Sequence, residues 1–71
     1  MRHKLKQERE IRSWTQKYVA EKIGITVRAY QYYESGKRDP LLDTANKLED
    51  LFGINQRELL VRNDTLTTNT A

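Results

Sequence analysis

The chain has 71 residues, a formal net charge of +3, no cysteine and a single histidine, His3. That length holds one domain with one small core of marginal stability. The composition excludes disulfides and a structural zinc site of the Cys/His type, leaving helix packing, with or without self-association, to hold the fold.

No long apolar run is present, and the charged start Met1–Lys6 lacks the apolar stretch of a signal peptide. The expectation is a soluble cytoplasmic protein. Charge is spread unevenly. Residues 1–38 carry ten basic against four acidic side chains, and residues 39–71 carry three against six. A field polarised in this way suits a polyanion on one side only, although a solvated surface with uneven charge accounts for it equally well.

Helical signals dominate, and Gly24, Gly36, Pro40 and Gly53 punctuate the chain at short intervals. No stretch alternates cleanly enough to argue for a strand. A first helix is expected from about Lys4 to Arg12, with Leu5 and Ile11 as its apolar residues. His3 falls in a flexible terminus by default. Ser13-Trp14-Thr15 breaks the pattern. Trp14 reads as core, and Thr15 as the N-cap of a second helix from Gln16 to about Ile23. Val19, Ala20 and Ile23 share one face of that helix. Gly24 stands where a left-handed residue ends it.

Ile25 is expected to plug the core, and Thr26 to cap a third helix from Val27 to about Ser35. Tyr30 and Tyr33 share one face of this helix, which reads as core rather than as a stacking platform for bases. Arg28 and Tyr32 share another face. Gly36 ends the helix, and Lys37-Arg38-Asp39-Pro40 forms a charged loop. A fourth helix follows from about Leu42 to Phe52, with Leu42, Ala45, Leu48 and Phe52 as its buried stripe. Gly53 ends it. Asn55 with Glu58 reads as a capping box that opens a short fifth helix to about Leu60. The polar, threonine-rich stretch 62–71 is expected not to fold, leaving residues 1–61 as the domain.

The informative unit is the pair of short helices joined by a tight turn, Gln16 to Gly36. Ala20 lets the two helices approach closely, and Gly24 allows a sharp reversal. Ile25, Tyr30 and Tyr33 anchor the third helix, so its opposite face projects outward. The second helix of such a unit can lie in the major groove of DNA.

From about Leu5 to Leu60 the sequence resembles the phage repressor and Cro (Xre-like) family of helix-turn-helix proteins. The matches are Thr15-Gln16, Ala20, Gly24, Tyr33-Glu34, Gly36-Lys37-Arg38, Pro40, Leu48, Gly53 and Glu58-Leu59-Leu60, all in register. The resemblance implies an all-α fold, a compact five-helix bundle of the lambda-repressor-like type with a central helix-turn-helix. It also implies double-stranded DNA as the partner. Thr26, Val27, Arg28 and Tyr32 would then face base edges, with Arg28 suited to a guanine and Val27 to a thymine methyl. Gln16, Ser35, Lys37 and Arg38 would hold the phosphate backbone. Arg9 and Glu34 match a family pair linking the first helix to the end of the third.

The sequence departs from the family pattern in four places. Glu8 replaces an apolar residue, while Ile11 is apolar where a charge is usual, so the first helix is rotated or ends differently. Trp14 replaces a smaller aliphatic residue and Ser13 a common glycine. Leu41 stands where a capping serine is common, leaving the fourth helix weakly capped or marking a dimer contact.

No nucleophile, base and orienting group can be assembled, and no cofactor-binding glycine loop is present. A transcriptional regulator, most simply a repressor binding a pseudo-palindromic operator as a homodimer, is therefore expected rather than an enzyme. Leu41, Leu51, Leu59, Leu60 and Val61 are the candidate dimer residues. The same scaffold also suits a protein-interaction module, such as an antitoxin or a phage accessory protein.

Overall fold

Side-chain oxygens start three of the helices. Thr15 Oγ1 accepts from the Tyr18 amide at 2.9 Å, and Thr26 Oγ1 from the Ala29 amide at 3.0 Å. Each satisfies an amide that the first helical turn leaves unpaired. Asn55 Oδ1 accepts from the Arg57 amide at 2.8 Å rather than from the amide of Glu58. The expected box is therefore a simple cap, and the Glu58 carboxylate faces Lys4 at 3.9 Å instead.

Left-handed residues follow the first four helices. Gly24 takes φ 77°, and the Ile25 amide reaches back to the Ala20 carbonyl at 3.0 Å. Gly36 takes φ 86°, and the Lys37 amide reaches the Tyr32 carbonyl at 3.0 Å. The first helix ends by the same device, with Ser13 at φ 59° and the Trp14 amide on the Arg9 carbonyl at 3.1 Å.

The computed structural model describes residues 1–62. These signals divide it into α1 (His3–Ile11), α2 (Gln16–Ile23), α3 (Val27–Ser35), α4 (Leu42–Phe52) and α5 (Gln56–Leu59), with no strand among the described residues. α1 starts and ends one residue before the expected bounds, and α5 stops at Leu59. His3 lies in the first turn of α1 rather than in a loose terminus. The stretch expected not to fold lies, from residue 63 onward, outside the described residues.

α2 packs chiefly against α3 and α4, α5 against α4, and α1 bridges α3 and α5. The core joins Leu5, Val19, Ala20, Ile23, Tyr30, Leu48, Phe52 and Leu59, with Trp14, Ile25, Val27, Leu51, Ile54 and Leu60 packed around it. Tyr33, expected in the core, is only half-buried. Ile11 is exposed, because six residues from Leu5 turn it about 120° away from the buried face. Two apolar expectations, those for Leu42 and Leu59, need correction. Leu42 is exposed, since the first turn of α4 runs past the edge of the core and the stripe begins at Ala45. Leu59 is fully buried inside the molecule and is therefore not surface for a subunit contact.

One departure in α1, Glu8, has a local explanation. Glu8 is half-buried beneath Arg12 Nη1 at 2.7 Å and Lys4 Nζ at 3.2 Å. The same Arg12 donates to the Phe52 carbonyl at 3.0 Å and covers the rings of Trp14 and Phe52. An ion pair with an aromatic floor thus replaces an apolar contact. The hydrogen bonds from Arg12 and then Lys4 hold the Glu8 carboxyl below its usual range.

A second tie was not foreseen. Arg2 is 2% exposed and donates through Nε to the Leu60 carbonyl at 3.0 Å, and through Nη1 to the carbonyls of Tyr33 and Arg38. Its Nη2 donates to Asp39. The guanidinium sits at the C-terminal end of α3, where a positive charge is favoured.

Ser13 holds a conformation that costs an L side chain about 1–2 kcal/mol relative to glycine. Ser13→Gly is expected to raise stability by roughly 0.5–1 kcal/mol once the greater freedom of glycine in the unfolded chain is counted. Urea denaturation reads this directly, and an unchanged or lower midpoint would show that the turn is unstrained.

Candidate nucleic-acid interface

α3 is held from beneath by a carboxylate. Glu34 is 2% exposed. Arg9 grips it with Nε at 2.8 Å and Nη2 at 3.1 Å, and the Tyr30 hydroxyl donates to it at 2.7 Å. Gln16 Nε2 donates to it at 3.0 Å. Arg9 also donates to the Trp14 carbonyl at 2.9 Å, so α1, the first turn of α2 and α3 meet on this one group. Burial pushes the Glu34 carboxyl up, but the donors from Arg9, Tyr30 and Gln16 outweigh it and hold the pKa below the usual range. Burial and the Glu34 hydrogen bond push the Tyr30 hydroxyl far up, so it stays a donor.

The opposite side of α3 is open. Thr26 and Arg28 are exposed, and Tyr32 is half-buried. Val27 is half-buried and leans on the core, which leaves only part of its side chain to the surface. Lys37 and Arg38 are exposed, with Lys37 Nζ 5.9 Å and Arg38 Cζ 5.1 Å from the centre of the Tyr32 ring. The Tyr32 carbonyl also accepts from the amides of Lys37 and Arg38 and from the Ser35 hydroxyl. Ring and carbonyl together fix the loop on one side, and Arg2 fixes it on the other. Thr26, Arg28, Tyr32, Lys37 and Arg38 thus form one continuous basic edge.

Two expected contacts are differently placed. The Gln16 amide is not simply exposed. Its nitrogen faces Glu34, and its oxygen accepts from Gln31 Nε2 at 3.1 Å, which leaves one amide N–H available. The Ser35 hydroxyl proton is spent on the Tyr32 carbonyl. Tyr18 lies away from this edge, against Trp14 and under Lys22.

The family model described as helix-turn-helix matches residues 5–59. The chain belongs to this family. Membership places it in a DNA-binding class without enzymatic activity. The chain is similar to the HTH-type transcriptional regulator AnsR of Bacillus subtilis, 39% identical over 59 residues. It is 33% identical over 64 residues to an uncharacterised HTH-type transcriptional regulator of Methanocaldococcus jannaschii, covering 90% of this chain and 97% of that protein. A third relative is the SPbeta prophage-derived uncharacterised HTH-type transcriptional regulator YonR of B. subtilis, 37% identical over 57 residues. The matches to AnsR and YonR cover 83% and 80% of this chain but only 51% and 53% of those proteins. The chain therefore spans about half their length. No solved structure matches it significantly.

Sequence reasoning passed over Arg2, before α1, and Gln31 within the helix-turn-helix unit. Gln31 carried a usable signal, since it lies four residues after Val27 and three after Arg28, on the same helical face.

The lowered Glu34 pKa makes stability depend on pH. A carboxylate whose folded pKa lies below its unfolded value of about 4.3 stabilises the fold above that value and loses the contribution as pH falls through the folded pKa. Urea midpoints should therefore drop below about pH 4.3. In a carbon-detected NMR titration Glu34 should protonate below that pH, and a midpoint at or above it would contradict the assigned network.

Proposed function

We propose that this protein is a sequence-specific double-stranded DNA-binding transcriptional regulator that lays α3 in the major groove. One observation carries the reading: the underside of α3 is pinned through Glu34 while its outer edge stays open and basic. Arg28 projects from the first turn of α3, suited to the O6 and N7 acceptors of a guanine. Tyr32 and the exposed part of Val27 supply apolar contact to neighbouring bases. Lys37, Arg38, the remaining N–H of Gln16 and the exposed start of α2 serve phosphates, which set register but not sequence. The names of the relatives accord with this role. A repressor needs only to occupy its site, and we assign that role.

We further propose that the protein binds a pseudo-palindrome as a homodimer, with recognition helices about 34 Å apart. The exposed Leu41 and Val61, with the partly buried Leu51 and Leu60, are the surface for the contact. Exposed Leu42 joins them. Two leucines in succession more than 70% exposed are unusual for a face meant to stay in water. No helix among the described residues is long and apolar enough to cross a membrane.

Selection from random duplexes at two salt concentrations tests the DNA reading. Arg28→Ala should cost about 1–3 kcal/mol and relax the preference at one base pair, whereas Lys37→Ala should weaken all sequences alike and reduce the salt slope by about one. Uniform weakening by Arg28→Ala would make that arginine a backbone contact. The dimer is tested by sedimentation equilibrium with Leu41→Asp as the control. Wild type should dimerise at high concentration or on its operator and the variant should not, and a strictly monomeric wild type in both conditions would remove this part.

A further inference from the structure

The guanidinium of Arg2 bridges parts of the chain that lie far apart in sequence. Its Nε donates to the Leu60 carbonyl at the end of α5, beside the fully buried Leu59. Nη1 donates to the Tyr33 carbonyl at 2.6 Å and to the Arg38 carbonyl at 3.0 Å, and Nη2 donates to the Asp39 carboxylate. The backbone of Arg2 is fixed as well. Its N–H donates to the Glu34 carbonyl at 3.0 Å, and its carbonyl accepts from the Lys6 amide at 3.2 Å. Gly36 makes room for this approach, because a Cβ there would stand 3.1 Å from the Met1 nitrogen. A planar fork serves acceptors in several directions at once, whereas an ammonium offers a single nitrogen.

Two of these acceptors belong to the basic loop, and they matter for different reasons. The Arg38 carbonyl sets the path of the backbone. With the Lys37 and Arg38 amides tied to the Tyr32 carbonyl, this leaves both side chains exposed beside the Tyr32 ring. The Asp39 carboxylate is the negative charge next to them, and its side chain is 68% exposed. Arg2, with Arg62 Nη1 at 3.6 Å, holds it over the groove that Leu42, Ala45 and Leu60 line. Released from that grip, it would be free to swing toward Lys37 and Arg38 and repel a phosphate there. Arg2 is 2% exposed and does not itself reach a duplex. We propose that Arg2 is a positioning residue for DNA binding, fixing the loop so that Lys37 and Arg38 meet the duplex while Asp39 is held off it. The inference rests on the DNA-binding reading above.

The test compares wild type, Asp39→Asn, Arg2→Lys and the double variant for affinity to duplexes selected by wild type, together with NMR order parameters of the backbone amides. Wild type is measured first, and a wild type that binds no duplex removes the DNA reading and this inference with it. Arg2→Lys keeps the charge but not the fork. It should bind every sequence about tenfold more weakly with an unchanged consensus, because the loop must then be ordered on binding. Order parameters should fall at residues 37–39 and hold within α3. Asp39→Asn alone should change affinity by less than about twofold, since the carboxylate is already held away. Added to Arg2→Lys, it should recover affinity by at least about threefold. Arg2→Lys with wild-type affinity would overturn the proposal while leaving the DNA reading standing. A loss that Asp39→Asn does not relieve would also overturn it, since that marks an arginine serving stability alone. If Arg2→Lys does not fold, the exposed Asp39→Asn decides: a gain above about twofold would put the carboxylate against the duplex and overturn the proposal, and a smaller change supports it.

Discussion

A single buried carboxylate organises this small protein. Glu34 is taken out of water, which costs several kcal/mol for an unpaired charge, and is repaid by a two-toothed guanidinium grip and two further donors. Its partners come from three helices, α1, α2 and α3 itself, which meet on this one group. Breaking such a pair from one side typically costs about 3–5 kcal/mol. That is comparable to the whole stability of a domain this size, so the pair bears on whether α3 has a defined position at all. Ordering the helix in advance also lowers the conformational cost of docking it on a ligand.

Arg2 extends the same logic to the loop after α3. The loop carrying Lys37 and Arg38 has no secondary structure of its own. It is held between the Tyr32 ring and carbonyl on one side and the Arg2 guanidinium on the other. Through the Leu60 carbonyl the same arginine reaches the end of α5. The basic loop and the apolar Leu41–Val61 region are therefore joined by one side chain. A subunit contact at the apolar region would bear directly on the geometry of the basic edge.

Much of the fold was legible because its signals are local. A threonine three residues before an unpaired amide, or a glycine just past an apolar residue, acts within one turn, and Thr15, Thr26, Gly24 and Gly36 do what their positions imply. The Arg9–Glu34 pair followed from family resemblance rather than from spacing. What failed was the judgement of burial near helix ends, while the central stripe residues Val19, Ala20, Ile23, Ala45, Leu48 and Phe52 are buried as expected. Ile11, Leu42 and Leu59 differ in burial because of where α1, α4 and α5 end relative to one another, and periodicity within one helix holds no such information. Arg2 was illegible for the same reason, since its partners lie 31 to 58 residues away. The site was legible as a set of positions on α3, but not as a network. That Gln16 spends both ends of its amide inside the protein depends on where Glu34 and Gln31 arrive in space.

The account requires that the outer edge of α3 be the surface that meets a duplex. Amide chemical-shift changes in the labelled protein, followed as duplex DNA bearing a selected site is added, test that most directly. The largest changes should fall on Thr26 to Tyr32 and on Lys37 and Arg38, with smaller ones at the start of α2. Changes confined to the Leu41 and Val61 region, with α3 unmoved, would contradict it.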